Sequence, residues 1–182
     1  MSLVEFKDKE GGLSMVELGS FEVPRSHDDP SPSFFRLVYG RLPAREQTER
    51  PPLLFLAGGP GDSPLSWLTH PPFRRAFEDL AENQDVILLD QRGCGRSEPT
   101  WVLPPIDAEG ILVDRTAALE ALSRQVLALR ESTEFEPSWL TPWESARDLL
   151  LLAAHLGVPK LDLLAVSCGT HLGMALMKAC PG

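Results

Sequence analysis

The sequence predicts an α/β fold: an N-terminal antiparallel strand pair followed by parallel strands with crossover helices. Three observations carry this. The runs Leu53-Leu-Phe-Leu-Ala57 and Val86-Ile-Leu-Leu89 are short, continuous and apolar, which suits strands buried on both faces of a parallel sheet. Between them Phe73, Ala76, Phe77 and Leu80 recur at i, i+3, i+4 and i+7, one face of an amphipathic helix, so the segment reads as a right-handed strand–helix–strand crossover. A third apolar run, Leu161-Asp-Leu-Leu-Ala-Val166, leads directly into another helical pattern.

Taken in order, residues 1–13 are polar and glycine-containing and read as a flexible tail, with residues 14–182 as one domain. Ser14–Val23 and Phe34–Leu42 read as strands; in the second, Phe35, Leu37 and Tyr39 recur at period two. Pro24–Ser33 between them is all turn chemistry, which makes the two a hairpin-like pair. Residues 43–51 form a polar linker, and residues 98–113 are rich in proline and lack a period. Residues 114–131 read as a helix with Ala118, Leu122, Val126 and Leu129 on one stripe. The next helix is clearly punctuated. Thr141 is a candidate N-cap, Pro142 suits the first helical position, and Glu144 is placed to close a capping box. Ala146, Leu149, Leu150, Ala153 and Leu156 form its buried face, and Gly157 and Pro159 end it. Leu172, Ala175, Leu176 and Ala179 give residues 169–180 a last helical stripe.

Composition excludes several classes of function. Seventeen Lys+Arg against 26 Asp+Glu leave a formal charge of −9, the wrong sign for a nucleic-acid partner, whose phosphates need clustered cations. No apolar run approaches the roughly 20 residues a membrane span needs. Cys94, Cys168 and Cys180 are sparse and lack ligand spacing, so no metal site is expected and the thiols read as free. With charges where a secretory peptide needs an apolar stretch, the N-terminus points to a cytoplasmic protein.

Two motifs carry chemistry. Ala165-Val166-Ser167-Cys168-Gly169 stands where a strand stops and a helix begins. A nucleophile elbow needs this placement, with small residues two before and two after the serine so that a strained turn can lift the hydroxyl clear of the sheet. The plainer reading of Ser167 is a helix cap. Gly58-Gly59-Pro60-Gly61 follows the first parallel-type strand. Acyl transfer builds negative charge on a carbonyl oxygen and requires backbone donors that no side chain crowds, so Gly59 and Cys168 are candidate oxyanion donors. A plain tight turn is the alternative. A phosphate cradle fails, because no Lys-Ser/Thr pair follows the glycines, and no cofactor is expected. Asp90-Gln-Arg-Gly-Cys-Gly-Arg-Ser97 reads as a rigid loop whose geometry Asp90 and Arg92 fix.

Gly-Gly-Pro-Gly, Asp-Gln-Arg-Gly-x-Gly-Arg-Ser and Val-Ser-Cys-Gly-Thr, in this order after parallel-type strands, resemble the α/β-hydrolase superfamily. More narrowly they resemble its proline iminopeptidase branch and the tripeptidyl-aminopeptidase-like relatives. The resemblance covers residues 14–182 and implies an incomplete α/β-hydrolase fold, without the lid and the C-terminal strands. It implies a serine hydrolase that removes an N-terminal residue, often proline, from short peptides. It carries Ser167 over as nucleophile, Gly59 and Cys168 as oxyanion donors, and Gly58, Pro60 and Gly61 as the rest of the oxyanion loop. Ala57 stands where the family often has His, and Cys168 where it has an aromatic.

A serine needs a base and an acid, which in this fold follow it in the chain. No carboxylate lies downstream of Ser167, and the one downstream histidine, His171, is four residues on, about 6 Å along a helix axis and on the side away from the hydroxyl. His70 borders the glycine turn, His155 sits at a helix C-terminus, His27 lies in a polar turn, and Asp62 reads as a loop residue. The triad acid and base are therefore expected to be absent from this chain. Two functions compete, beside a third and weaker idea, a self-sufficient lipase-like esterase using His70 or His171. One is a prolyl-aminopeptidase-type hydrolase completed by a missing C-terminal segment. The other is an inactive truncated module acting through a partner or through self-association at the 161–166 strand edge.

Overall fold

The computed structural model describes residues 1–29, 33–46, 49–100, 115–132 and 136–180. Its strands are β1 (Ser2–Lys7), β2 (Leu13–Pro24), β3 (Phe34–Leu42), β4 (Leu53–Leu56), β5 (Val86–Asp90) and β6 (Asp162–Ala165). They form one sheet in the order β1-β2-β3-β5-β4-β6. The first four in that order pair antiparallel, and β4 pairs parallel with both β5 and β6. The described helices are α1 (Pro64–Trp67), α2 (Pro71–Leu80), α3 (Arg115–Ser132), α4 (Pro142–Leu156) and α5 (Gly169–Ala179), with a 3₁₀ turn over Pro137–Leu140.

Alternation along the strands sorts the core into two layers. Leu54 and Leu56 of β4 and Ile87 and Leu89 of β5 face Ala146, Leu149 and Leu152 of α4 and Leu172, Ala175 and Leu176 of α5. Leu53, Phe55, Val86 and Leu88 face Leu65 of α1, Leu68 and Phe77 of α2. The chain runs from β4 to β5 on one side, then back past β4 to β6 on the other. Right-handed crossovers in opposite directions put their helices on opposite faces. β4 is thus where the strand order reverses, and ligands bind at the carboxyl ends of strands at such a point.

Four expectations change. The tail is not loose: residues 2–7 form β1, whose Phe6 is buried against Val16 and Val38. Two apolar side chains, Val4 and Phe6, on the inner face of a short polar strand are too weak a period to read from sequence. β6, whose apolar run reads as a buried strand, is not buried on both faces, and its place in the sheet agrees with the expected 161–166 strand edge. It is an edge strand among the described residues, and Leu164 and Val166 are 38% and 43% exposed. Of the expected α2 face only Phe77 is fully buried; Leu80 is partly so, Ala76 is exposed, and Phe73 lies against Trp67 with ring centroids 4.5 Å apart. Residues 101–138 form a compact unit of their own, whose described helix is α3. Leu122 and Val126 of its expected stripe are each 49% exposed, while the side chains of Ala118 and Leu129, and residues 101–114 of the proline-rich stretch, lie outside the described residues.

The punctuation of α4 is as expected at three points. The Thr141 side chain accepts from the Glu144 amide at 3.3 Å, Pro142 opens the helix, and Gly157 ends it at φ +67°. Glu144 does not close the capping box. Its carboxylate accepts from the His27 amide at 2.9 Å instead, because a buried guanidinium draws the 24–29 turn onto this helix. Arg92 donates through Nε and Nη2 to the two oxygens of Asp148 at 2.7 and 2.6 Å, and both side chains are 1% exposed. Its other donors reach the carbonyls of Pro24 at 3.2 Å and of Arg25 and Trp139 at 2.8 Å. His27 Nε2 shares Asp148 at 2.8 Å.

Removing one partner of a buried ion pair leaves an uncompensated charge, at a cost of about 3–5 kcal/mol. Arg92→Ala is expected to lower the unfolding free energy by about that much in urea titration. Arg92→Met combined with Asp148→Leu is expected to recover most of the loss.

Candidate active site

Ser167 joins β6 to α5 at φ +52°, the one non-glycine residue with positive φ among those described. An L-residue occupies this left-handed region at a cost of order 1 kcal/mol, so the surrounding structure must impose it. The imposition comes from both sides. Ahead of the serine, the Val166 amide continues the β4–β6 ladder by donating to the Leu56 carbonyl at 3.1 Å. Behind it, α5 starts at once: Gly169 N–H closes on Val166 O at 2.9 Å and Thr170 N–H on Ser167 O at 3.0 Å. A side chain at Gly169 would overlap the carbonyl oxygens of Leu56 and Ala57, so only glycine lets the helix start this close to β4. Ser167 itself is exposed.

The glycine turn after β4 meets this serine. A methyl placed on Gly58 would stand 2.9 Å from Ser167 Cβ and 3.4 Å from its Oγ. Gly59 and Gly61 follow at φ +107° and +104°, conformations open to glycine at no steric cost. Cys168 Sγ lies 3.3 Å from the Gly59 carbonyl oxygen. Neither the Gly59 amide nor the Cys168 amide donates a hydrogen bond within the described residues. Gly58, Gly59, Ser167 and Cys168, expected to act together, are therefore contiguous. Pro60 and Gly61 form the exposed far side of the turn.

The loop after β5 braces the turn from the other flank. The Asp90 carboxylate accepts from Ser63 Oγ at 2.7 Å and from the Arg96 amide at 2.9 Å, and Ser97 Oγ donates to the Asp90 carbonyl at 2.5 Å. Burial holds the Asp90 carboxyl above its ordinary range, and the Ser63 hydroxyl and the Arg96 amide pull it back. Burial, with the charges of Asp90 and Asp62, pushes the Cys94 thiol up to about 11, so at neutral pH it is protonated and a poor nucleophile. The expectation that Asp90 and Arg92 fix loop geometry agrees with these contacts.

No histidine or carboxylate is hydrogen-bonded to Ser167 Oγ among the described residues. His171 is exposed on α5. His155 stacks on Phe21 at 5.6 Å and meets Tyr39 Oη at 3.3 Å, a packing role. His27 belongs to the Arg92 cluster, and His70 precedes α2 as its N-cap residue without a side-chain cap. The His27–Asp148 pair was missed in the sequence, since its members are 121 residues apart with no motif joining them. Among the described residues no group of three or more His, Cys, Asp or Glu is placed to hold a metal ion, and no helix is long and apolar enough to cross a membrane.

The backbone constraints are directly testable. Ser167→Gly is expected to be more stable than Ser167→Ala by about 1 kcal/mol, because glycine relieves the positive φ and alanine does not. Gly169→Ala is expected to lose at least about 2 kcal/mol in the same unfolding measurement, from overlap with backbone that has no room to move.

The model of the α/β hydrolase fold family matches residues 51–178. A tripeptidyl aminopeptidase of Streptomyces coelicolor is 29% identical over 172 residues, covering 87% of this chain and 31% of its own length. A proline iminopeptidase of Heyndrickxia coagulans is 36% identical over 95 residues, 52% of this chain and 29% of that protein. The chain thus spans about a third of the length of these relatives. Among solved structures, a proline iminopeptidase-related protein of Thermus thermophilus aligns over 91% of this chain and 41% of its own with a TM-score of 0.53 at 22% identity. An α/β hydrolase of Novosphingobium aromaticivorans aligns over 92% and 42% with a TM-score of 0.55 at 20% identity. The crossover order, the glycine turn and the strand–serine–helix turn are thus joined by a family match over most of the sequence, and the chain belongs to the α/β-hydrolase fold family.

Proposed function

We propose that this chain carries the nucleophile and both oxyanion donors of a serine hydrolase that cleaves N-terminal residues, proline among them, from short peptides through an acyl-enzyme. The observation that supports it most is the approach of Gly58 to Ser167 beside two amides with no acceptor among the described residues. Ser167 Oγ attacks the scissile carbonyl carbon and loses its proton to a base. The carbonyl oxygen takes up the negative charge, and the N–H groups of Gly59 and Cys168 donate to it. Collapse releases the peptide amine, which takes a proton, and leaves an ester on Ser167. Water then attacks that ester through the same steps in reverse. The names of the aminopeptidase relatives support the substrate class.

In this reading the base and the orienting acid come from outside these 182 residues. Ser167 Oγ meets neither within the described residues, and this chain aligns with only 31% and 29% of the two aminopeptidase relatives' own lengths. A peptidase without its histidine retains only the residual rate from the oxyanion donors and binding.

A fluorophosphonate probe on the protein purified from its natural source, followed by peptide mass spectrometry, tests the assignment. The label is expected on Ser167. Ser167→Ala is expected to remove it and to lower cleavage of a prolyl arylamide by about 10⁴-fold or more. The 182-residue chain alone is expected to label slower by about 10³-fold or more. Undiminished turnover by Ser167→Ala, or a label on another residue, overturns the reading. Absent labelling from the natural-source protein favours the module that acts through a partner.

A further inference from the structure

We propose that the Cys168 thiol is a positioning residue for the oxyanion loop: its S–H donates to the Gly59 carbonyl and so holds the Gly59 amide beside Ser167. The inference rests on the reading of Ser167 as nucleophile and adds a role that neither the family match nor the relatives' names assign.

The geometry points to it in three steps. The glycine turn needs to be held, because Gly58, Gly59 and Gly61 have no side chains with which to pack, Pro60 is exposed, and a methyl added at Gly61 would meet nothing within 4 Å. Glycine is also the residue with the widest backbone freedom. Cys168 Sγ lies 3.3 Å from Gly59 O, across the gap between the turns after β4 and β6. Finally, the carbonyl and the amide of one residue are linked by only two soft dihedrals, φ and ψ. Fixing the Gly59 carbonyl therefore narrows the directions open to the Gly59 N–H.

An amide that points at the developing oxyanion gains more from rigidity than from strength, since it must not reorganise during the reaction. A thiol is a weak donor, but here it has to bias only a small loop. Cys168 would then act twice. Its own N–H is one donor to the oxyanion, and its side chain orients the residue that supplies the other. Cys168→Ala keeps the first contribution and removes the second. Cys168→Ser keeps a donor at the same place.

The test uses the protein from its natural source and these two variants. In the parent, the infrared S–H stretch that is lost in Cys168→Ala is expected to lie below the free-thiol position. The NMR order parameter of the Gly59 amide is expected to fall from a rigid toward a flexible value in Cys168→Ala and to recover in Cys168→Ser. On a prolyl arylamide, Cys168→Ala is expected to lower kcat about tenfold with KM changed less than about twofold, a fraction of what losing a whole oxyanion donor does. Cys168→Ser is expected to return most of that rate. If Ser167 takes no label in any of the three proteins, the reading of Ser167 fails, while the S–H band and the order parameter still decide the tether. An S–H band at the free-thiol position together with an unchanged Gly59 order parameter overturns it.

Discussion

Arg92 is the point through which the segments around the sheet's carboxyl end are held, because a buried guanidinium keeps its charge and must find acceptors for five N–H groups. Two are the oxygens of Asp148 on α4, two are the carbonyls at the end of β2, and one is the carbonyl of Trp139 in the 3₁₀ turn. These acceptors are fixed in direction and come from stretches far apart in sequence. Only one mutual arrangement of the loop after β5, the turn after β2 and the start of α4 satisfies them all. α4 in turn shares the layer formed by Leu54, Leu56 and Leu172, on the face of the sheet where α5 packs after Ser167.

The meeting of the two turns is a second constraint of the same kind, made by absence of side chains. Gly58 leaves room for Ser167, and Gly169 leaves room for the carbonyls that end β4. Between them the serine is forced to φ +52°. Parallel pairing through Leu53↔Asp162 to Leu56↔Ala165 carries both strands to the same height, so their following turns must lie side by side. Proximity, strain and two amides without an acceptor among the described residues are thus consequences of one ladder and two glycines.

Much of this was legible in the sequence because the signals were local. Gly157, Pro142 and Thr141 act within one turn of α4, and the apolar runs of β4 and β5 need no partner to be recognised. The motif Ala165–Gly169 likewise states its own geometry. What stayed hidden depends on residues far apart. Glu144 has the spacing of a capping box, yet a charge-assisted network with Arg92 and the His27 amide outcompetes a single local hydrogen bond. β1 was missed because its inward residues, Val4 and Phe6, become a stripe only against Val16. Leu161–Val166 reads as buried on composition, but burial of a strand depends on the neighbour beyond it, which no property of the strand itself encodes. The contact between Cys168 and Gly59 is likewise invisible until the two turns are placed together.

The layering of β4 has one more consequence. Leu54 and Leu56 face one set of helices while Leu53 and Phe55 face the other, and the strand has only four residues between Pro52 and the turn. Loss of a single codon here would rotate every following side chain to the opposite layer and shorten the reach to Gly58 by about 3.3 Å. The segment can therefore diverge by exchange of one apolar residue for another, but not by change in length. Insertions and deletions in its descendants should fall in the connecting loops instead.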